Sequence, residues 1–227
     1  MEICREDVII IGIPILIFGK SGSGKSRSLK NFAEDEIFYV NVENKPLPFR
    51  KKFKFEIASH NVNTIIDGVK KMGSVNVKTA VIDDAGYLQT EYFMRHHRAK
   101  QGNASFEMYD EMADQIYNLI TTVKELPSDV IVYITFHEDV NENGDIGIKT
   151  IGRLLDRKVC LEGMCTVVLH CMSDGKKHYF TTQTNGKDIA KSPEDLFSAE
   201  EIENDLKAVD EKIREFYGIN IVEKGEK

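Results

Sequence analysis

Gly19-Lys20-Ser21-Gly22-Ser23-Gly24-Lys25-Ser26 fills every fixed position of the G-x-x-x-x-G-K-[ST] phosphate loop, directly after the apolar run Ile15-Leu16-Ile17-Phe18. The chemistry served by this spacing is capture of a polyphosphate, which needs several backbone N–H donors converging on one anion. Gly19, Gly22 and Gly24 supply the freedom that such a turn demands, and Lys20, Ser21 and Ser23 complete it. A helix is expected from Lys25, its N-terminal dipole toward the anion. Lys25 can reach the β- and γ-phosphates, the Ser26 hydroxyl can ligate Mg²⁺, and Arg27 is counted with the nucleotide-binding residues. The expected ligands are therefore a nucleoside triphosphate and Mg²⁺.

Phosphoryl transfer also requires a metal-holding carboxylate facing the loop, and Ala80-Val81-Ile82-Asp83 ends an apolar strand with an acid. Asp83 is the candidate second metal ligand. Asp84 is either a turn carboxylate or the residue that orients the attacking water. Glu43, at the exit of Tyr39-Val40-Asn41-Val42, is the first choice for the base that orients that water, against the alternative of a solvated loop acid. His137 follows Ile131 to Phe136 and is placed to sense the γ-phosphate.

These residues must be positioned by alternating strands and helices. Strands are expected over residues Val8 to Phe18, Ile37 to Val42, Phe53 to Ala58, Thr79 to Ile82, Val130 to Phe136, Gly163 to Cys171 and Lys177 to Thr182, the last two joined at Ser173-Asp174-Gly175. Helices are expected over Lys25 to Ala33, Asn63 to Met72 and Ser105 to Leu126, where Phe106, Tyr109, Met112, Ile116, Ile120 and Val123 form the apolar stripe. This order implies an α/β fold with a mainly parallel sheet, helices on both faces, and ligands bound beyond the carboxyl ends of the strands. From Ser198 the pattern changes. Ser198-Ala199-Glu200-Glu201 matches a capping box, and Ile202, Leu206, Val209, Ile213 and Phe216 follow at helical spacing. That helix packs either on its own domain or on a partner; the expected division is a core over 1–190 and a C-terminal helical tail over 191–227.

With 227 residues, 41% hydrophobic and 30% charged, the chain reads as one globular domain. Its apolar stretches are too short to span a bilayer, and Met1 to Asp7 lacks the basic start of a secretory signal, so a cytoplasmic location is expected. Cys4, Cys160, Cys165 and Cys171 show no metal-ligand spacing and read as reduced thiols, better suited to core packing than to catalysis. The net charge of −7 argues against a protein that coats nucleic acid generally, while leaving room for a local basic groove.

The order of phosphate loop, Glu43, Asp83, long helix, His137 and then Lys149-Thr150-Ile151-Gly152-Arg153-Leu154-Leu155-Asp156-Arg157-Lys158 resembles the RecA-like P-loop NTPases, and within them phage-encoded nucleotide-binding proteins of the AAA_24 type, related to phage single-strand-annealing recombinases. The resemblance runs from about Ile15 to Thr182. It implies an oligomeric ATPase acting in DNA recombination or replication in a host cytoplasm, with Glu43 as base and His137 linking the γ-phosphate to a DNA-binding loop. It also implies that ATP binds between subunits, with Arg153, Arg157 or Lys158 contributing in trans.

DNA-binding loops in such proteins follow the strands that end at Asp83 and His137. The first here, Tyr92 to Asn103, carries Arg95, Arg98 and Lys100 beside two aromatics, a combination suited to single-stranded DNA. Its alternative is a loop whose Arg95 or Arg98 meets a neighbouring subunit's nucleotide. The second, Glu138 to Gly147, is acidic, and Arg50 to Phe55 reads as a strand with one wet face as well as a basic patch. Two other functions compete: a nucleotide-gated binding or loading module with little hydrolysis, and a small-molecule kinase, which would need a fuller arginine lid than Arg153 and Arg157.

Overall fold

The computed structural model describes residues 11–152 and 159–219. Its centre is a nine-stranded sheet. The parallel strands are β1 (Ile13–Gly19), β2 (Ile37–Asn41), β3 (Phe55–Ala58), β4 (Thr79–Asp83), β5 (Ile131–Val140) and, after the short β6 (Ile146–Ile148), β7 (Val167–Ser173). Their spatial order is β3-β2-β4-β5-β1-β7, and β8 (His178–Thr181) and β9 (Glu201–Glu203) extend the last edge antiparallel.

Strand β1 is apolar on both sides because both sides are covered, the pattern of a central parallel strand. Leu16 and Phe18 join the core beneath α1 (Val62–Lys71), α2 (Gly86–His96) and α3 (Asn103–Lys124). Ile15 and Ile17 point the other way, into a second core closed by Leu29 and Phe32 and by Leu206, Val209 and Ile213 of α4 (Leu206–Phe216). The expected α/β architecture, with helices on both faces and a helix at the C-terminal end, is the observed one.

Several local expectations are corrected. The helix after the phosphate loop is a tight 3-10 turn over Ser26–Asn31, not an α-helix to Ala33, and Ser28 Oγ bonds back to the Lys25 carbonyl at its start. Tyr92 to His96 belong to α2, so the basic loop shrinks to its end. Pairs four apart hold that turn: Arg95 Nε meets Glu91 at 2.8 Å, and Tyr92 and Phe93 stack on His96 and His97. Glu138 to Gly147 is a hairpin, in which β5 runs past His137 to Val140 and turns back through β6. In α3 the stripe begins at Met108, and Phe106 is 71% exposed.

The capping box at Ser198 goes unused. Residues Glu201–Glu203 pair with β8 instead, and α4 starts at Leu206, capped by the Asp205 carboxylate on the N–H groups of Lys207 and Ala208. The apolar stripe of α4 then packs on its own sheet. Polar residues anchor it there: Asp210 accepts from Thr79 and Tyr133 at 3.1 Å, and Arg214 donates to Asp210 at 2.7 Å and to the Asp129 carbonyl at 2.9 Å. Cys165 and Cys171 are buried as free thiols, whereas Cys160 is exposed and not a core residue. Cys4 and the candidate trans residues Arg153, Arg157 and Lys158 lie outside the described residues. Among the described residues no helix is long and apolar enough to cross a membrane.

Candidate functional site

Parallel register brings the sequence-predicted residues to one sheet edge. Gly19 at the end of β1 stands opposite His137 of β5, Ile82 of β4 stands opposite Ile134 of β5, and Asp83 stands opposite Asn41 of β2. The phosphate loop, Asp83, Asp84 and His137 therefore share the carboxyl-end crevice where open α/β sheets bind ligands.

The loop is built around close approach. A Cβ on Gly19 would lie 2.2 Å from the Cys171 carbonyl oxygen and 2.8 Å from Ser23 Oγ, so the chain passes β7 only as glycine. Gly24 has φ +110°, and its missing side chain makes room for His178, whose Nδ1 bonds the Ser23 carbonyl at 2.7 Å. Gly22 also takes a positive φ. Lys25 is buried and turns its ammonium onto the carbonyls of Gly19 and Lys20, at 2.8 and 3.0 Å. Burial lowers its pKa, with the charge of Asp84 partly opposing that shift. A desolvated ammonium so held gains from any anion that enters the loop.

Ser26 stands close enough to Asp83 for its side chain to favour the charged carboxylate. That carboxylate receives the Tyr39 hydroxyl at 3.1 Å and the Thr135 hydroxyl at 2.9 Å. Burial, and after it the charge of Asp84, still raises the Asp83 pKa above the ordinary carboxylate value. A nearby cation would relieve both. The donors are hard oxygens, which suit Mg²⁺. Among the described residues no group of three His, Cys, Asp or Glu side chains could hold a metal ion, so a cation here would complete its shell with phosphate and water oxygens.

Asp84 sits beside Asp83 with φ +60°, its N–H donated to Thr135 Oγ1 at 2.7 Å. Its carboxylate is ion-paired with Lys45 and lies 3.5 Å from His137 Nε2. The His137 pKa is lowered by burial and then by the Lys25 charge, which keeps its imidazole neutral at neutral pH. Gly22, Lys25, Ser26, Lys45, Asp84 and His137 line one cavity of about 310 Å³, with Arg27 and His178 also in its wall. Arg27 itself is exposed and donates to Asn204 at 3.2 Å, while Lys20 is exposed with its ammonium 3.9 Å from Glu138.

Glu43 is placed differently. Its carboxylate is 3.3 Å from His60 Nε2 and does not line that cavity. The nucleic-acid candidates are divided. Arg95 pairs with Glu91 and lines a separate cleft of about 500 Å³ with His60, Tyr92 and His96. Lys100 is paired with Glu111 and lies 5.7 Å from the Tyr92 ring centre, whereas Arg98 is exposed.

Four contributors escaped the sequence reading: Tyr39, Lys45, Thr135 and His178. Thr135 had a readable signal, because it is the only aliphatic hydroxyl in the apolar run Ile131 to Phe136 and ends up buried. Lys45 had none beyond its place in the turn after Glu43.

The profile of the AAA_24 family, described as an AAA domain, matches residues 11–193. None of the curated proteins matches the chain. Among solved structures, the chain is similar to a KaiC-like protein from the hyperthermophilic archaeon Pyrococcus horikoshii OT3, with a TM-score of 0.42 and 16% identity, over 75% of this chain and 78% of that chain.

Proposed function

The chain belongs to the AAA_24 family of AAA domains, and we propose that it binds and hydrolyses ATP in the cavity between the phosphate loop and the acids at the end of β4. The observation that carries this reading is the cavity that Lys25 and Ser26 of the loop line together with Asp84, the neighbour of Asp83, which joins the two halves expected to share one cation. In this reading Lys25 exchanges the carbonyls of Gly19 and Lys20 for phosphate oxygens, and loop N–H groups hold the β-phosphate. Ser26 and Asp83 would hold Mg²⁺, which when bound neutralises charge developing on the phosphates.

Asp84 is the acid already facing the cavity and is the one assigned here to orient the attacking water, with neutral His137 as its neighbour. Glu43 would have to leave His60 to take that role. Purified protein with Mg²⁺ and ATP provides the test: wild type should turn over, and Lys25→Ala should fall to background. Unchanged hydrolysis in Lys25→Ala would remove the proposal.

The finer reading extends to an oligomer at work in DNA recombination or replication, in the cytoplasm of a phage host, with Arg95, Arg98 and Lys100 as the nucleic-acid contacts. The position of the three cations at the end of α2, together with the exposed Arg98, supports it. Stimulation of turnover by single-stranded DNA, lost on Arg98→Ala, is its test. A second reading, a nucleotide-gated loading module with little hydrolysis, is favoured by one specific arrangement: Asp84 is covered by Lys45 and Glu43 is held by His60. Tight ATP binding with turnover no faster than that of Lys25→Ala would support it.

A further inference from the structure

Lys45 lies outside the phosphate-loop motif, yet its ammonium enters the same cavity as Lys25 and pairs with Asp84. The two partners are unequally placed. The Lys45 side chain is 48% exposed on a flexible stem, and that of Asp84 is 3% exposed. Asp84 is held independently, because its N–H is bound by Thr135 and its second carboxylate oxygen faces His137. Lys45 can therefore move without disturbing the acid.

The sheet order gives the cavity a direction. Lys45 and Asp84 follow β2 and β4, while His178 belongs to β8 on the far side of β1 and β7. The phosphate that reacts must lie beside the acid that positions water, so the terminal phosphate belongs at the end where Lys45 is, and the nucleoside toward Arg27 and His178. Two ammoniums facing one small space, with Asp84 as the anion between them, suit a ligand that brings more than one negative charge.

We propose that Lys45 is a γ-phosphate ligand: it leaves Asp84 for the terminal phosphate of a bound nucleoside triphosphate, distinguishing triphosphate from diphosphate and at the same time uncovering the Asp84 carboxylate. This rests on the ATP-binding reading above. A diphosphate leaves the Lys45–Asp84 pair closed, so Lys45 contributes nothing to its affinity. An exchange of this kind shifts binding only by the difference between the two partners, which keeps the effect moderate.

The test is equilibrium binding of fluorescent AMP-PNP and ADP, each with Mg²⁺, to wild type, Lys45→Met and Lys45→Arg. Loss of one charge-assisted contact weakens binding roughly 10-fold. Lys45→Met should therefore bind AMP-PNP about 10-fold more weakly with ADP affinity within about 2-fold of wild type, and Lys45→Arg should keep most of the preference. Equal losses for both nucleotides, or none, with wild type binding both, would overturn the role of Lys45 and leave the ATP site standing. Failure of wild type to bind either nucleotide would overturn both. An unchanged urea midpoint in Lys45→Met establishes that the comparison is between folded proteins.

Discussion

Thr135→Val exposes how the two acids are held. The Thr135 hydroxyl donates to Asp83 Oδ1 at 2.9 Å and accepts from the Asp84 N–H at 2.7 Å, and all three residues are buried. Valine has nearly the same shape but no hydroxyl. The lost bond to a carboxylate is worth about 1.5–3 kcal/mol, and the stranded amide costs about 1–3 kcal/mol. Together the substitution should cost about 3–5 kcal/mol, a large share of a stability that is typically about 5–15 kcal/mol. With a urea slope of about 2.5 kcal/mol/M, the unfolding midpoint should fall by roughly 1–2 M.

The penalty should also depend on pH. Burial already raises the Asp83 pKa, and removing a donor to its charged form raises it further. A carboxyl whose folded pKa lies above its unfolded value favours the folded state at low pH and loses that contribution as pH rises. The midpoint shift should therefore be larger at pH 8 than at pH 5. The assay is urea titration followed by far-ultraviolet circular dichroism, with Thr135→Ser, which keeps the hydroxyl, as the control. A valine variant unfolding within the error of wild type and of the serine variant would refute the reasoning.

Glu43→Gln and Asp84→Asn separate the two water-orienting candidates: with Asp84 in the cavity and Glu43 bound to His60, turnover should fall at least about 100-fold in Asp84→Asn and under about 5-fold in Glu43→Gln. The reverse pattern would return the role to Glu43. Arg214→Ala leaves Asp210 as a buried charge without its cation beneath α4, and such broken pairs cost about 3–5 kcal/mol. Calorimetry showing an unchanged melting temperature would contradict that anchoring. Burial pushes the thiols of Cys165 and Cys171 up to about 12 and about 11, so at pH 8 both stay protonated and sealed. In a Cys4→Ser variant, titration with a chromogenic disulfide should count one reactive thiol, Cys160, before denaturation and three after it.

The parts of this molecule that were legible in its sequence are those set by local chemistry. Glycines at fixed spacing can serve few purposes after an apolar strand, and the runs at β1, β2, β4 and β5 are apolar because they are covered on both faces. The basic segment after β4 misled because pairs four residues apart, Glu91 with Arg95 and Tyr92 with His96, continue α2 where a loop was expected. At Ser198 a capping box was present but β8 offered an open edge, and pairing with it won over an early helix start. The partners of Asp83 and Asp84 were illegible for another reason. Tyr39, Thr135 and Lys45 reach those acids only through strand register and a turn, which spacing along the chain does not encode.

The central claim is that one divalent cation and one triphosphate are shared by the loop and Asp83. A crystal grown with a non-hydrolysable ATP analogue and Mn²⁺ in place of Mg²⁺ tests it most directly, because manganese can be located by its anomalous scattering. The expected result is a single anomalous peak about 2.0–2.3 Å from Ser26 Oγ, on the Asp83 side of the cavity, with the triphosphate along Gly19 to Ser26. Manganese at Glu43 and His60, or a nucleotide bound away from the loop, would contradict the account.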